Sequence, residues 1–404
     1  MQVMFSHFKN RNYPALFTCY IVCLLLLNGC KTDEVKRLPV INIMTEDAIE
    51  WEQSIPCLAG YATAADSSTW PGKTKFRGGV SSKYGKHSYS LKFVDPHSLC
   101  NLPANRSWIL NASYIDKTFM RHKICFDLFL QMGSHNNAPL CGYAMVQENM
   151  VPKGLYVVMQ RLNKKVLRLN EADTGALIFK EPKVFYNDTE LPSRSEGAQN
   201  YHEQKYPDFD QQDRNVVMDE LRSFLLHASD EEFTNKVGTL FDLRNIADWH
   251  LLLLFTNNSD GLLKNFYLYK VDSSSPYRIA IWDYDHSFGR DGDNEPNMLE
   301  RMADEHRNIL FDRLLKSPSY KKALSERWKM LRRNNIFSEE NIARMMTEND
   351  AYIRSGIAEN TALWPIDAPD YFDGSDYEEE KERILQYVPL ILDTLDRRFG
   401  YVNE

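Results

Sequence analysis

Alternation of hydrophobic and polar residues is the main pattern in the first half of the chain. Residues 38–44 (LPVINIM) predict a strand, and residues 73–93 form a β-rich block that ends in the alternating run Ser-Tyr-Ser-Leu-Lys-Phe. Two further strands, 143–147 and 155–160, flank a turn predicted at Pro152-Lys153-Gly154. This part of the chain therefore contains several short strands.

Helical spacing of hydrophobic residues first occurs at residues 116–132, which end at Gly133. With the strands around it, this helix predicts a mixed α/β N-terminal lobe over residues 38–182. A polar stretch, residues 187–213, is interpreted as an insertion or mobile loop. Helical spacing then dominates, and residues 183–404 are predicted to form a mostly helical C-terminal lobe. Its predicted helices span residues 212–228, 242–256, 309–316, 319–333, 338–360 and 377–399.

One β-hairpin, residues 265–269 and 277–282, interrupts these helices and joins two polar motifs. The first motif runs from Asp260 to Asn265 (DGLLKN), and the second from Asp283 to Gly289 (DYDHSFG). Because the two strands of a hairpin are antiparallel, Asn265 and Asp283 are expected at the same end of it.

The order and spacing of these residues are those of a protein-kinase-like site. In such a site Asp260 orients a hydroxyl group, while Asn265 and Asp283 hold Mg²⁺ against nucleotide phosphates. Oxygen ligands of this kind suit Mg²⁺ or Mn²⁺ rather than zinc. Asp285 is a further candidate ligand, unless it turns away to cap the turn that follows it.

A basic segment, residues 76–93, is the candidate phosphate-facing element. Gly78-Gly79 lets backbone N–H groups approach an anion closely, and Ser81 and Ser82 add hydroxyl donors. Lys86 and Lys92 are separated by an even number of residues, so in an extended strand both project from the polar face. The candidate nucleotide-contacting residues are Arg77, Ser81, Ser82, Lys86 and Lys92. The simpler interpretation of this segment alone is a solvated basic strand.

Residues 1–29 are interpreted as an export signal, because the basic residues Lys9 and Arg11 precede a short apolar run. The small residues before Cys30 resemble a bacterial lipobox, which implies cleavage before Cys30 and lipidation of its thiol. Residues 30–37 would then be a polar tether. We therefore expect an extracytoplasmic protein that is anchored to the cell envelope by lipid.

The charge balance argues against nucleic acid as a partner. The formal net charge is −8, and removal of Lys9 and Arg11 with the signal leaves −10, so the basic footprint of a nucleic-acid-binding protein is missing. The four remaining cysteines could form two disulfides in three pairings, and no Cys/His spacing suggests zinc. The scattered histidines are interpreted as surface or core residues. The cysteines are Cys57, Cys100, Cys125 and Cys141.

Five segments together resemble the CotH family of spore-coat-protein-H-type atypical protein kinases. They are FRGGVSSKYGKHSYSLKF, the helix with Arg121 and Lys123, GLYVVMQRLNK, NNSDGLLKNFYLYK and IAIWDYDHSFG. The resemblance runs from about Leu38 to the C-terminal helix. It implies an α+β fold of the divergent, two-lobe, protein-kinase-like type that uses ATP and Mg²⁺.

By motif, the resemblance makes Asp260 the catalytic aspartate, and Lys92 or Lys86 a phosphate contact. It implies phosphorylation of Ser or Thr on secreted or envelope proteins. The metal ligands that it implies are Asn265, Asp283 and Asp285. Two positions depart from the family pattern: Gln160 stands where an acidic residue is usual, and Gly261 where a basic residue often follows the aspartate.

Two alternatives remain open from the sequence. The same fold could be a catalytically inactive surface-binding module in which the aspartates hold a structural divalent cation, since ATP is scarce outside the cytoplasm. A glycosidase with Asp260 and Asp283 as its carboxylate pair is a third possibility, but it leaves Asn265 and the basic strand unexplained.

Overall fold

The computed structural model describes residues 37–194, 199–290, 302–365 and 374–402. The expected signal peptide and Cys30 lie outside these ranges. Leu38–Glu404 forms one compact unit. Within the described ranges, no helix has the length and apolar character needed to cross a bilayer.

The described residues form eleven strands and eight α-helices. The strands are β1 Val40–Met44, β2 Ile55–Ala62, β3 Ser67–Arg77, β4 Ser88–His97, β5 Asn105–Asn111, β6 Cys141–Glu148, β7 Val151–Gln160, β8 Leu177–Lys180, β9 Gln204–Tyr206, β10 Phe266–Lys270 and β11 Arg278–Ile281. The helices are α1 Arg121–Met132, α2 Asn215–His227, α3 Asp230–Leu240, α4 Leu243–Thr256, α5 Ile309–Lys316, α6 Pro318–Arg333, α7 Glu339–Leu363 and α8 Tyr377–Phe399.

The first seven strands close into a barrel in the order β1-β2-β3-β4-β5-β7-β6. Closure comes from a parallel pairing of β1 with β6, which places Val40 opposite Met145. Strand β7 is buried on both faces: Tyr156 and Val158 belong to the barrel interior, whereas Leu155 and Val157 pack into the core shared with the helices. The sequence predicted strands here but did not predict that they close.

The hairpin β10–β11 belongs to a second sheet of four strands, ordered β11-β10-β8-β9. Strand β8 pairs antiparallel with β10, with Lys180 opposite Tyr267. Strand β9 comes from the polar stretch 187–213, which was expected to be a loop. That expectation is wrong for Gln204–Tyr206, because the backbone of this short segment extends the sheet even though its side chains have no hydrophobic alternation.

Helix α4 forms the centre of the helical region, and nearly every side chain along it is buried. It begins where the Asp242 side chain accepts hydrogen bonds from the N–H groups of Arg244 and Asn245. It ends at Asn257, which adopts the left-handed conformation (φ 51°). Burial on all sides explains the continuous run of leucines that the sequence shows there.

The local predictions failed where a turn or a cap was assigned to the wrong residues. The turn between β6 and β7 lies at Asn149 and Met150, both with positive φ, and residues 152–154 are already in the strand. Helix α1 begins at Arg121 rather than near Asp116. The Asp116 carboxylate instead accepts hydrogen bonds from the N–H groups of Thr118, in the segment before the helix, and of Arg121, the first residue of the helix.

The structure confirms the α+β class. Its largest hydrophobic cluster joins β7 of the barrel to the helices, so both parts share one core. All four cysteines outside residues 1–36 are free thiols, so neither of the two disulfides that the sequence allowed is present.

Candidate functional site

The β10–β11 hairpin brings the two polar motifs to one end, as the sequence predicted. The Trp282 N–H donates to the Asn265 carbonyl oxygen at 2.9 Å, directly beyond the last paired residues of the two strands. Asn265 (φ 58°) and Asp283 (φ 57°) both adopt the left-handed conformation. Such conformations are costly outside glycine and occur often at functional sites.

The loop that carries Asp260 is fixed at both of its ends to the segment that carries Asp283. Besides the bond at Asn265, the Phe288 N–H donates to the Thr256 carbonyl at 2.8 Å, at the end of α4. Asp260 opens a short 3₁₀ turn, and its side chain is 50% exposed, with Lys264 Nζ 3.6 Å from its carboxylate. This carboxylate is therefore accessible from solvent.

Gly261, one of the two departures from the family pattern, has a packing reason. A Cβ at this position would lie 2.4 Å from Leu253 Cδ2 of helix α4. A larger residue would force the end of the Leu253 side chain to move, and its Cβ would lie 3.3 Å from Asn258 Cγ, so the close packing here favours glycine.

A histidine lies against the metal-binding candidates. His122 Nε2 on helix α1 is 3.1 Å from Asp283 Oδ1, and the ligand atoms of His122, Asp283 and Asp285 all lie within 4.8 Å of one another. The His122 ring is buried, whereas the Asp283 side chain is 45% exposed. The group of three residues is therefore buried on the side of His122 and open to solvent on the side of Asp283.

The pKa shifts in this group follow from burial and charge. Desolvation would raise the pKa of Asp283, but the hydrogen bond and charge of His122, with the charge of Arg77, lower it to about 2. Desolvation would lower the pKa of His122, but its hydrogen bond with Asp283 raises it instead. For Asp285, burial and the neighbouring Asp283 charge raise the pKa.

These observations fit a divalent cation. Two carboxylates held close together repel each other, and this repulsion adds to burial, the larger cause, in raising the pKa of Asp285. A cation between them would relieve the repulsion. Asp285 Oδ1 also accepts a hydrogen bond from the His286 N–H at 3.1 Å, and the Asp285 carboxylate still belongs to the group of candidate ligands.

Three cations lie close enough to Tyr267 for their charges to act on it. The charges of Lys180, Arg161 and Arg77 all lower the pKa of Tyr267 against the effect of its burial, which raises it. Arg77 and Lys180 also act on Asp283. The Arg77 guanidinium lies 5.8 Å from the centre of the Trp282 ring. The sequence indicated Arg77 but missed Arg161 and Lys180.

The segment with Ser81 and Ser82 is a short 3₁₀ turn, Val80–Lys83. The exposed Ser82 hydroxyl donates to the Gly79 carbonyl at 2.7 Å, so it is used within the turn. Gly78 has a φ of 145°, and a Cβ there would lie 2.2 Å from Ser81 Oγ. The turn is near the metal candidates, since the charge of Asp285 raises the pKa of Tyr84, although burial is the larger cause.

Lys86 and Lys92 do not project from the same polar face, and that expectation is wrong. Strand β4 begins only at Ser88, so the two-residue alternation does not extend back to Lys86. Lys86 is 2% exposed, and Lys92 is exposed on the barrel opposite Lys73. Among the hydrogen bonds and ion pairs of the described residues, none joins either lysine to Asp283.

The Lys86 ammonium group makes its hydrogen bonds to the barrel side and to helix α7. Its Nζ donates to the Ala112 carbonyl (2.8 Å), the Leu155 carbonyl (2.5 Å) and Asn360 Oδ1 (2.9 Å). Burial lowers its pKa, but three acceptors around one nitrogen match the three N–H groups of the protonated form. Lys86 therefore links the barrel to helix α7 and has no donor left for phosphate.

Replacing Lys86 with Met should lower the free energy of unfolding by about 1–3 kcal/mol, because buried acceptors lose their donor. The folded variant should keep the wild-type Kd for nucleotide. Urea unfolding and a nucleotide titration measure the two effects. Lys92→Met is the matched control and should leave stability unchanged. A loss of nucleotide affinity in a fully folded Lys86→Met protein would restore this residue as a phosphate contact.

Helix α1 is held in place beside the site by buried ion pairs. Arg121 is fully buried; its Nη1 lies 2.8 Å from Asp116 Oδ1, and its Nη2 lies 2.9 Å from Glu380 Oε2 of helix α8. Its Nε donates to the Ser287 carbonyl at 2.9 Å. Arg121 thereby fixes His122, the next residue, relative to the Asp283–Asp285 segment.

The sequence offered one usable signal for His122. This residue lies on the stripe of α1 that includes Phe126, whose ring it meets edge-on at 5.7 Å, and a polar residue on a buried stripe needs a partner.

Gln160, the other family departure, donates to the Pro103 carbonyl at 3.0 Å. It therefore holds a neighbouring loop.

Comparison with known proteins agrees with this geometry. The sequence model of the family described as "CotH kinase protein" matches residues 74–390, so the match begins later than the Leu38 suggested by the motifs. The inner spore coat protein H of Bacillus subtilis (strain 168) is 23% identical over 252 residues, which cover 61% of this chain and 67% of that protein. Because the family match covers well over half of the 404 residues, this chain belongs to the CotH kinase protein family.

Proposed function

We propose that this protein is a kinase that transfers the terminal phosphoryl group of ATP to Ser or Thr hydroxyls of secreted or envelope proteins, with Mg²⁺ or Mn²⁺. One observation carries the proposal. The hairpin and its two flanking hydrogen bonds bring the Asp260 loop, Asn265 and Asp283 to the same end, beside a group of cations. This combination is what phosphoryl transfer requires.

Asp260 would orient the acceptor hydroxyl and accept its proton. Its half-exposed carboxylate can be reached by a protein segment, and Lys264 Nζ lies 3.6 Å from it. Positioning of this kind contributes much of the rate in phosphoryl transfer, since little covalent help is needed.

Arg77, Lys180 and Arg161 would bind phosphate oxygens, because their charges converge on Tyr267 next to Asp283. Asn265, Asp283 and Asp285 would hold the divalent cation. When bound, such a cation neutralises charge between phosphate oxygens and orients them for in-line transfer.

The proposal includes the kinase-like arrangement of two lobes. The barrel that carries Arg77 would act as the N-terminal lobe, and the helical region that carries Asp260 as the C-terminal lobe. Lipid anchoring at Cys30, an extracytoplasmic location and protein substrates in the cell envelope also belong to the proposal. They rest on the apolar run and the residues before Cys30 in the sequence.

A thermal-shift titration tests the nucleotide site. A ligand that binds only the native state raises stability by RT ln(1 + [L]/Kd), which is about 2.7 kcal/mol at a concentration of 100 Kd. We expect ATP to raise the melting temperature in the presence of Mg²⁺ or Mn²⁺ and to have a weaker effect in EDTA. ADP and GTP serve as comparison ligands.

The alternative function, a kinase-like binding module with a structural cation, gives a different result. In that case the divalent cation alone would raise the melting temperature, and no nucleotide would add to it at any metal concentration. Asp283→Ala separates the two: loss of the nucleotide shift supports the kinase, whereas lower intrinsic stability alone supports the binding module.

A further inference from the structure

His122 occupies a position that suits a metal ligand rather than a filler of the core. Its ring is 1% exposed and is held by the edge-on contact with Phe126 and by the ion pairs of the preceding Arg121. Its Nε2 points at Asp283 Oδ1 on the open side of the group. The imidazole is thus rigid and directed at the residues that would hold a cation.

The distances are close to those of an octahedral site. With metal–ligand bonds of about 2.1 Å, two neighbouring ligands are about 3.0 Å apart and two opposite ligands about 4.2 Å apart. His122 Nε2 and Asp283 Oδ1 are separated by 3.1 Å. The ligand atoms of these two residues and of Asp285 lie within 4.8 Å of one another. Small side-chain movements would therefore bring all three to one ion.

We propose that His122 supplies a nitrogen ligand to this cation and that the site consequently prefers Mn²⁺ to Mg²⁺. Mn²⁺ accepts carboxylate ligands as Mg²⁺ does, but as a first-row transition ion it also binds imidazole more readily than Mg²⁺, which favours oxygen ligands. The two carboxylates are compatible with either ion, so the histidine is the residue that discriminates between them. This inference rests on the proposed function only in assigning the cation to the same site.

Pulsed EPR of the protein with Mn²⁺ alone, without nucleotide, tests the ligand directly. We expect hyperfine coupling from a directly bound ¹⁴N in the wild-type protein. We expect this coupling to disappear in His122→Asn. Absence of nitrogen coupling in the wild type, or its persistence in His122→Asn, would overturn the proposal. The wild-type measurement needs no variant, so poor folding of His122→Asn would not remove the test.

Metal titrations measure the selectivity of the site for Mn²⁺ over Mg²⁺. His122→Asn should weaken the Kd for Mn²⁺ by about 10-fold or more and the Kd for Mg²⁺ by less than about 3-fold, because Mg²⁺ makes little use of imidazole. His286→Asn is the matched control, since His286 Nε2 lies 4.0 Å from Asp285 Oδ1; it should keep the nitrogen coupling and both affinities. An equal loss of the two affinities in His122→Asn would mean that His122 only positions Asp283.

These results are independent of whether the protein is a kinase. Nitrogen coupling together with no nucleotide shift would retain the His122 ligand and reject the proposed function. A metal-dependent ATP shift without nitrogen coupling would retain the function and reject the ligand.

Discussion

Replacing Asp260 with Asn should lower phosphoryl transfer by about 10²–10⁴-fold, the usual contribution of a general base. Binding of ATP with its cation should remain close to wild type. The side chain is half exposed, and its ion pair with Lys264 is a surface pair, so the fold has little dependence on its charge. Transfer of radiolabelled phosphate from ATP to casein and to the protein itself measures the rate, and the thermal shift measures binding.

Two controls define the roles in this experiment. Lys264→Met removes the surface partner of Asp260 and should reduce transfer far less than the Asp260 variant does. Asp283→Ala should lose both transfer and nucleotide binding, because its carboxylate belongs to the group proposed to hold the cation. Full transfer by Asp260→Asn would show that the role assigned to this aspartate is incorrect.

Replacing Arg121 with Met should destabilise the protein by about 3–5 kcal/mol. The substitution takes the Arg121 cation away from the fully buried carboxylate of Asp116, and uncompensated buried charge is expensive. Glu380 loses one of its partners but keeps the ion pair with Arg290 at 2.7 Å. The substitution also leaves the Ser287 carbonyl without the Nε donor. Urea unfolding followed by far-UV circular dichroism gives the free energy.

Arg354→Met is the matched control for that experiment. Arg354 pairs with Asp350 and Glu378, but its side chain is 55% exposed, and exposed pairs contribute about 0–1 kcal/mol. If the two variants lost similar amounts of stability, the Arg121 ion pairs would be no more important than a surface network.

The sequence was most informative where local signals agreed with the tertiary structure. Helices α5 and α8 have the predicted bounds, because each combines a clear apolar stripe with strong end signals. In α8 the Asp376 side chain and Glu379 form a capping box, and Gly400 ends the helix in the left-handed conformation. The hairpin was also predictable, since its strands and its polar ends are close in sequence.

The parts of the fold and of the site that the sequence did not predict depend on contacts between residues far apart in sequence. In the sequence, Lys86 cannot be distinguished from a solvated lysine. Its burial becomes evident only from its hydrogen bonds to the Leu155 carbonyl and to the side-chain amide of Asn360. His122 lies 161 residues before Asp283, and Arg161 and Lys180 occur in segments without any phosphate motif. No local pattern could indicate that these side chains meet.

The closure of the barrel has a consequence for the way the chain folds. Strand β1 pairs with β6, so Val40 must find Met145 after about a hundred intervening residues have been made. Pairing over such distances raises contact order and slows folding. During synthesis the hydrophobic strand β1 therefore remains without one of its partners until β6 emerges. Its unpaired edge is prone to aggregation during this interval.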